Sequence, residues 1–193
     1  LLRLPLSRQC LSKNFSQPFD QNRANVDLQG MVADDQDRLF IANGARSDVY
    51  VFNGRGNAVA QNITLQDNQV VGTEQVGPKN LLLYKNPQTN VEKLYVTGYN
   101  ASVVSVIDPK NLRLLRNIRL YQNVATRDSY NPVGINIGSS SSKDDVIYVT
   151  NASGLTITLI DPATDTLKRN ISPVESAGAQ DPLGEVVTIG AVK

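Results

Sequence analysis

Apolar and polar positions recur along this chain in a long, fixed register. The stretches Leu39–Leu65, Leu94–Leu120 and Ile147–Pro173 superimpose for 27 positions without a gap. Val49/Val104/Ile157 and Val51/Val106/Leu159 are apolar in every copy and two residues apart, with Tyr50/Ser105/Thr158 between them. Period two with β-branched side chains predicts a strand, since alternate residues of a strand share one face. The same pattern predicts strands over Leu39–Ala42, Leu94–Thr97 and Ile147–Thr150, and over Ala58–Leu65, Leu112–Leu120 and Thr166–Ser172. A further strand precedes each unit, at Gly30–Ala33, Asn80–Tyr84 and Gly134–Ile137. The Gly or Asn that opens it recurs at 30, 80, 134 and 184, at intervals of 50, 54 and 50. No dozen residues carry a sustained helical stripe, so the chain is expected to be all-β.

Other columns support the repeat. Phe40, Tyr95 and Tyr148 align, as do Asn53, Asp108 and Asp161, and Asn62, Asn117 and Asn170. A repeat of this length makes each copy one supersecondary unit stacked on its neighbours. Four strands per unit at this spacing fit a β-propeller blade. The turns agree: Asp108-Pro109 and Asp161-Pro162 close the third strand of their units, because Asp caps backbone amides and Pro presets the turn φ angle. Asn53-Gly54 does so in the first copy by tolerating positive φ. The expected organisation is residues 1–28 as an extension or the end of a preceding blade, blades over 29–77, 78–131 and 132–181, and the first strand of another over 182–193, at Glu185–Ile189.

The run Tyr148-Val149-Thr150-Asn151, leading to Asp161-Pro162-Ala163-Thr164, resembles the YVTN-type β-propeller repeat. Leu94-Tyr95-Val96-Thr97-Gly98 through Asp108-Pro109 follows it closely, and Phe40-Ile41-Ala42-Asn43 more loosely. The resemblance covers roughly residues 29–190. It implies kinship with surface-layer and other extracytoplasmic propellers, some of them lactonase-like or lyase relatives.

Composition acts by exclusion. The 193 residues are 40% hydrophobic and 19% charged, which is ordinary for a chain with a substantial core. A net charge of +1 gives no footprint for nucleic acid. Arg113, Arg116 and Arg119 fit an exposed outer strand better than a binding stripe. No apolar run approaches the roughly 20 residues of a membrane span. The start, Leu1-Leu2-Arg3-Leu4-Pro5-Leu6, is interrupted by Arg and Pro and does not read as a signal peptide.

Histidine is absent from the sequence. That removes Ser-His-Asp and Cys-His nucleophilic machinery and His-ligated metals from this chain, and with them the His chemistry of the related streptogramin lyases. Cys10 is a lone thiol outside the repeats, with no partner for an internal disulfide. Carboxylate chemistry with a hard cation such as calcium remains open. Asp34-Asp35-Gln36-Asp37 and Lys143-Asp144-Asp145 offer oxygen ligands, but neither has the spacing of a dedicated calcium loop, and solvated turns are the favoured reading. No metal or catalytic residue is assigned. Five Asn-x-Ser/Thr triplets, at Asn14, Asn62, Asn100, Asn151 and Asn170, would be glycan acceptors on an exposed surface. Pro173 disfavours the last of them.

In an up-and-down blade the hairpin between the second and third strands shares a face with the link to the next blade. Gly44–Ser47, Tyr99–Ala101 and Ala152–Gly154 therefore share a rim with the links Gln66–Gly77, Tyr121–Asn131 and Val174–Asp181. Long links on a rigid scaffold are where binding residues gather. Arg46, Tyr99, Asn100, Arg127, Asp128 and Tyr130 are the candidates for a protein or small-molecule ligand. Three blades and one strand do not close a ring of the usual size. The expectation is a segment of a longer propeller, with self-association through open blade faces as the alternative. The favoured function is binding or scaffolding outside the cytoplasm. A lactonase-like hydrolase using carboxylates and a divalent cation is the rival, and a structural surface-layer component is a third reading.

Overall fold

A computed structural model of the protein describes residues 26–53, 59–67, 69–121, 130–139, 145–153 and 155–172. They form twelve strands and, among the described residues, no helix. The first sheet holds β1 (Leu28–Ala33), β2 (Arg38–Asn43), β3 (Asp48–Asn53) and β4 (Val59–Thr64). The second holds β5 (Pro78–Lys85), β6 (Glu92–Gly98), β7 (Val103–Asp108) and β8 (Arg113–Arg119). The third holds β9 (Pro132–Ser139), β10 (Asp145–Asn151), β11 (Thr156–Asp161) and β12 (Thr166–Ile171). Each sheet is antiparallel and ordered as the chain runs, so each is one up-and-down blade. The three sheets open at Leu28, Pro78 and Pro132. The expected strand at Glu185–Ile189 and the expected extension up to residue 25 lie outside the described residues.

The registers repeat as the columns do. Phe40 faces Val51, Tyr95 faces Val106 and Tyr148 faces Leu159 across the second and third strands. Alternation then sends one set of side chains toward the following blade and the other toward the preceding one. Phe40, Val49 and Val51 of the first blade meet Leu94 and Val96 of the second in one core. Tyr95, Val104 and Val106 of the second blade meet Ile147, Val149 and Ile160 of the third in another. The middle blade is thus covered on both faces, which is why Val103–Ile107 is buried without interruption. Ile41, Tyr50 and Phe52 form a third cluster on the other face of the first blade.

Turn chemistry sets the strand ends. Asp108 Oδ1 accepts from the Lys110 and Asn111 amides, both at 3.0 Å, and Asp161 Oδ1 accepts from the Ala163 amide at 2.9 Å. The third-to-fourth-strand turns end on left-handed residues, Leu112 at φ 53° and Asp165 at φ 54°. Leu112 is therefore the close of a turn rather than the first residue of its strand. The recurring Gly or Asn has a packing cause. A Cβ at Gly30 would lie 2.8 Å from the Lys79 carbonyl oxygen and 3.0 Å from the Asn80 Cα, so the inner strands of the first two blades approach too closely there for a side chain.

Candidate functional site

The rim that carries the second-to-third-strand hairpins is pinned by backbone bonds repeated from blade to blade. Gly44, Tyr99 and Ala152, each at the start of a hairpin, donate their amides to the carbonyls of Asp27, Gly77 and Asn131, at 2.7, 3.0 and 3.0 Å. Asn100 and Ser153 donate in the same way to Val76 and Tyr130. The hairpin serines accept from the links: Ser47 Oγ takes the Val76 amide at 2.8 Å and Ser102 Oγ takes the Tyr130 amide at 3.0 Å. The loops on this rim are thus held as part of the scaffold.

Tyr99 and Asn100 stand on the hairpin of the second blade, and Tyr130 lies on the following link, its amide held by Ser102 of the same hairpin. Lys79 Nζ sits 5.6 Å from the centre of the Tyr99 ring, a cation–π placement. Asn131 Nδ2 donates to the Tyr99 carbonyl at 3.0 Å. The exposed Asn100 lies across Gly77, which sits at φ 60° and leaves no room for a Cβ beneath that amide. Tyr130 faces inward against the second core, and its hydroxyl accepts from Asn170 Nδ2 at 3.3 Å. Arg46 stands on the first hairpin, its amide bonded to the Asn43 carbonyl at 3.1 Å. Burial raises the Asp48 carboxyl and the Arg46 charge opposes that rise. Arg127 and Asp128 lie outside the described residues.

Lys79 is the residue that rim reasoning misses. It stands on an inner strand rather than a loop, and only the fold brings its ammonium over Tyr99. A second polar cluster, on the opposite rim, joins the same two blades. Lys93 Nζ bonds both Asp165 oxygens, at 2.9 and 2.8 Å, and the Pro162 carbonyl at 3.1 Å. The Tyr95 hydroxyl donates to Asp165 Oδ1 at 2.6 Å, and Tyr84 donates to Asp145 Oδ2 at 3.0 Å. Burial, then these carboxylate partners, raise both phenols, Tyr84 to about 12. No sequence signal marks this cluster, because Lys93 and Asp165 are 72 residues apart.

The acidic run at 34–37 is a turn. Asp34 accepts from the Gln36 and Arg38 amides at 3.0 and 2.8 Å, and its other oxygen lies 2.6 Å from Arg38 Nε. Glu92 is raised by burial and then by the nearby charges of Asp35 and Asp34. Among the described residues no three His, Cys, Asp or Glu side chains are grouped to hold a metal ion. Of the second run, Asp145 is engaged by Tyr84, while Lys143 and Asp144 lie outside the described residues. The triplets also separate. Asn151 is buried, with Nδ2 bonded to Thr156 and Thr158, and the Asn170 amide is bonded to the Leu120 carbonyl at 3.2 Å, whereas Asn62 and Asn100 are exposed. Asn14 lies outside the described residues.

No protein-family model matches the chain, and no curated protein sequence matches it. Solved structures do. A streptogramin B lyase superimposes with a TM-score of 0.58 at 14% identity, over 80% of this chain and 43% of that one. Virginiamycin B lyase from Staphylococcus aureus gives 0.55 at 16% identity, over 77% of this chain and 42% of that one. Hydrazine synthase of Kuenenia stuttgartiensis gives 0.54 at 21% identity, over 80% and 39%. At such identities the likeness is one of fold. With three four-stranded antiparallel blades, it establishes that the described residues have the fold of a β-propeller segment, spanning about two fifths of the length of these structures.

Proposed function

We propose that the chain is part of a YVTN-type propeller that works outside the cytoplasm as a binding scaffold. Its ligand, a protein or a small molecule, is held on the rim around Tyr99. The observation that carries this reading is the exposed Asn100 beside the Lys79–Tyr99 pair, on loops fixed by repeated backbone bonds. A cation stacked on an aromatic ring, with an amide alongside, offers charge, a flat apolar face and a donor–acceptor pair at little cost in ordering. Fold likeness to lyases adds nothing to the assignment, since activity resides in sites and not in folds.

Thermal unfolding against a panel of acidic and aromatic small molecules and peptides tests the rim. A ligand that binds only the native state raises Tm. Under this proposal Tyr99→Ala and Lys79→Ala abolish that rise while leaving the unliganded Tm close to the parent's. A rise that survives both variants moves the site elsewhere. A Tm that climbs with calcium alone would favour the carboxylate hydrolase instead.

A further inference from the structure

All three inner strands carry an extra residue at one height. Leu28 and Met31 pair with Asn43 and Ile41, so Gln29 and Gly30 stand opposite Ala42 alone. Pro78 and Leu81 pair with Gly98 and Val96, which sets Lys79 and Asn80 opposite Thr97. On β9 the extra residue is Val133, between Pro132 and Gly134, which pair with Asn151 and Thr150. A bulge breaks the alternation of a strand and re-aims the side chain it carries. Strict alternation would put Lys79 on the side of Leu81, which packs against the core between the first and second blades. The bulge instead lets its ammonium lie over Tyr99, on the hairpin of its own blade. Gln29 leans the same way in the first blade, its Cγ 3.0 Å from where a Cβ on Gly44 would lie, and Gly44 shares a column with Tyr99.

The bulges stand side by side. Gly30 meets the backbone of Lys79 and Asn80, so the first two inner strands touch at this height. Asn80 Nδ2 donates to the Val133 carbonyl at 2.9 Å, and Thr97 Oγ1 lies 3.3 Å from the same oxygen, which locks the third to the second. Gln29, Lys79 and Val133 therefore follow one another across three adjacent strands, as an amide, an ammonium and an exposed apolar side chain. Among the described residues no carboxylate pairs with Lys79, whose ammonium has only the Tyr99 ring beside it. Asp27 is turned away to the first blade. Its Oδ1 accepts from Gln29 Nε2 at 2.6 Å, and its Oδ2 lies 2.6 Å from where a Cβ on Gly44 would be.

Resting on the rim reading of the function, the geometry points to a small carboxylate with an apolar tail as the ligand class of this row. The carboxylate takes hydrogen bonds from the Lys79 ammonium, which has three donors and a ring on one side only. The tail runs the other way, over Val133, where covering an exposed valine removes apolar surface from water. Gln29 and the exposed Asn100 stand at the carboxylate end, and neither adds a charge that would oppose it. Lys79 is then the residue that sets the sign of the ligand, and Val133 the one that sets its apolar share. A small molecule suits the row better than a chain, because all three side chains belong to strands locked to one another rather than to a loop that could adjust.

Titration of the isotope-enriched full chain with sodium hexanoate, followed by NMR, tests this ligand class. Shifts are expected to gather at Lys79, Tyr99 and Val133. Acetate, which lacks the tail, and hexylammonium, which reverses the charge, are expected to bind several-fold more weakly or not at all. Lys79→Met is expected to weaken hexanoate by about tenfold or more, the worth of one charge-assisted hydrogen bond, and Lys79→Arg to retain most of the affinity. Val133→Ser is expected to weaken hexanoate several-fold and to leave acetate unchanged. Hexanoate shifts that are absent, that gather elsewhere, or that survive Lys79→Met overturn the proposal, as does equal binding of acetate and hexanoate. An acidic peptide that binds through Lys79 where hexanoate does not would assign the rim to a protein and overturn it too. A neutral small molecule whose Tm rise is lost in Tyr99→Ala would leave the rim reading standing and overturn the carboxylate alone.

Discussion

Tyr84 and Tyr95 are buried, their rings 6.4 Å apart, and each donates its hydroxyl to a carboxylate of the third blade. An ionised phenol there would lose that bond and face the carboxylate as a like charge. Both groups therefore keep their protons to a higher pH in the folded chain than in the unfolded one, where a phenol titrates near 10. Because the folded value is the raised one, this stabilisation is complete below about pH 10 and is lost as pH climbs toward the folded value, about 12 for Tyr84. The urea midpoint is expected to fall between these limits, and Tyr84→Phe to flatten the fall. A midpoint with the same alkaline decline in the parent and in Tyr84→Phe would mean that this phenol is not held neutral by the fold. Val106 makes a simpler case. It is fully buried between the second and third blades, and Val106→Ala is expected to cost about 1–4 kcal/mol through lost burial and residual cavity. An unchanged midpoint would place the wrong face of the strand inward.

Asn62, Asn117 and Asn170 show what a repeat discloses at the level of the element and what it conceals. All three share a column on the outermost strand of a blade. Asn117 Nδ2 donates to the Leu65 carbonyl at 2.9 Å and Asn170 Nδ2 to the Leu120 carbonyl at 3.2 Å, so the asparagine of each later blade caps the end of the blade before it. Ser105 and Thr158 hold the amides in place by donating to their side-chain oxygens, at 2.6 and 2.7 Å. The column was legible in the sequence, and so were the strands, because period two and the 27-residue register need no partner to be seen. Its purpose was not legible. The acceptor lies 50 or more residues away, and Asn-x-Ser/Thr at two of the three positions suggested a glycan instead. Lys79 over Tyr99 and Lys93 with Asp165 were hidden for the same reason, since each pairing depends on how strands or blades stack. Asn117→Ala is expected to destabilise by about 1–3 kcal/mol, leaving the buried Leu65 carbonyl and the Ser105 hydroxyl without this partner. Asn62→Ala, exposed on the first blade, is expected to stay within about 0.5 kcal/mol of the parent. Equal losses in the two variants would show that the column stabilises within blades rather than between them.

At the scale of the whole molecule, the described residues make a short stack in which the first blade packs on the second and the second on the third. The stability of such an array is approximately a sum of blade terms and interface terms. The middle blade shares in two interfaces, one apolar around Phe40, Leu94 and Leu112 with the Asn117–Leu65 bond at its edge, the other apolar with the Lys93–Tyr95–Asp165 cluster at its edge. Opening it requires breaking both. The third blade shares one of these, and its far side shows half-buried Tyr148, Ile157 and Ile171. Local opening follows the local density of buried apolar surface, so the blades should not open as one unit. Native-state hydrogen exchange in low denaturant is expected to rank the amides of β6 and β7 slowest and those of β11 and β12 clearly faster. Asp165→Asn, which takes the charge from the clamp, is expected to speed exchange in the third blade more than in the first. If instead all three blades exchanged at one rate and responded alike to that substitution, the chain would be a single cooperative unit. The interface between the second and third blades would then carry no separable share of its stability.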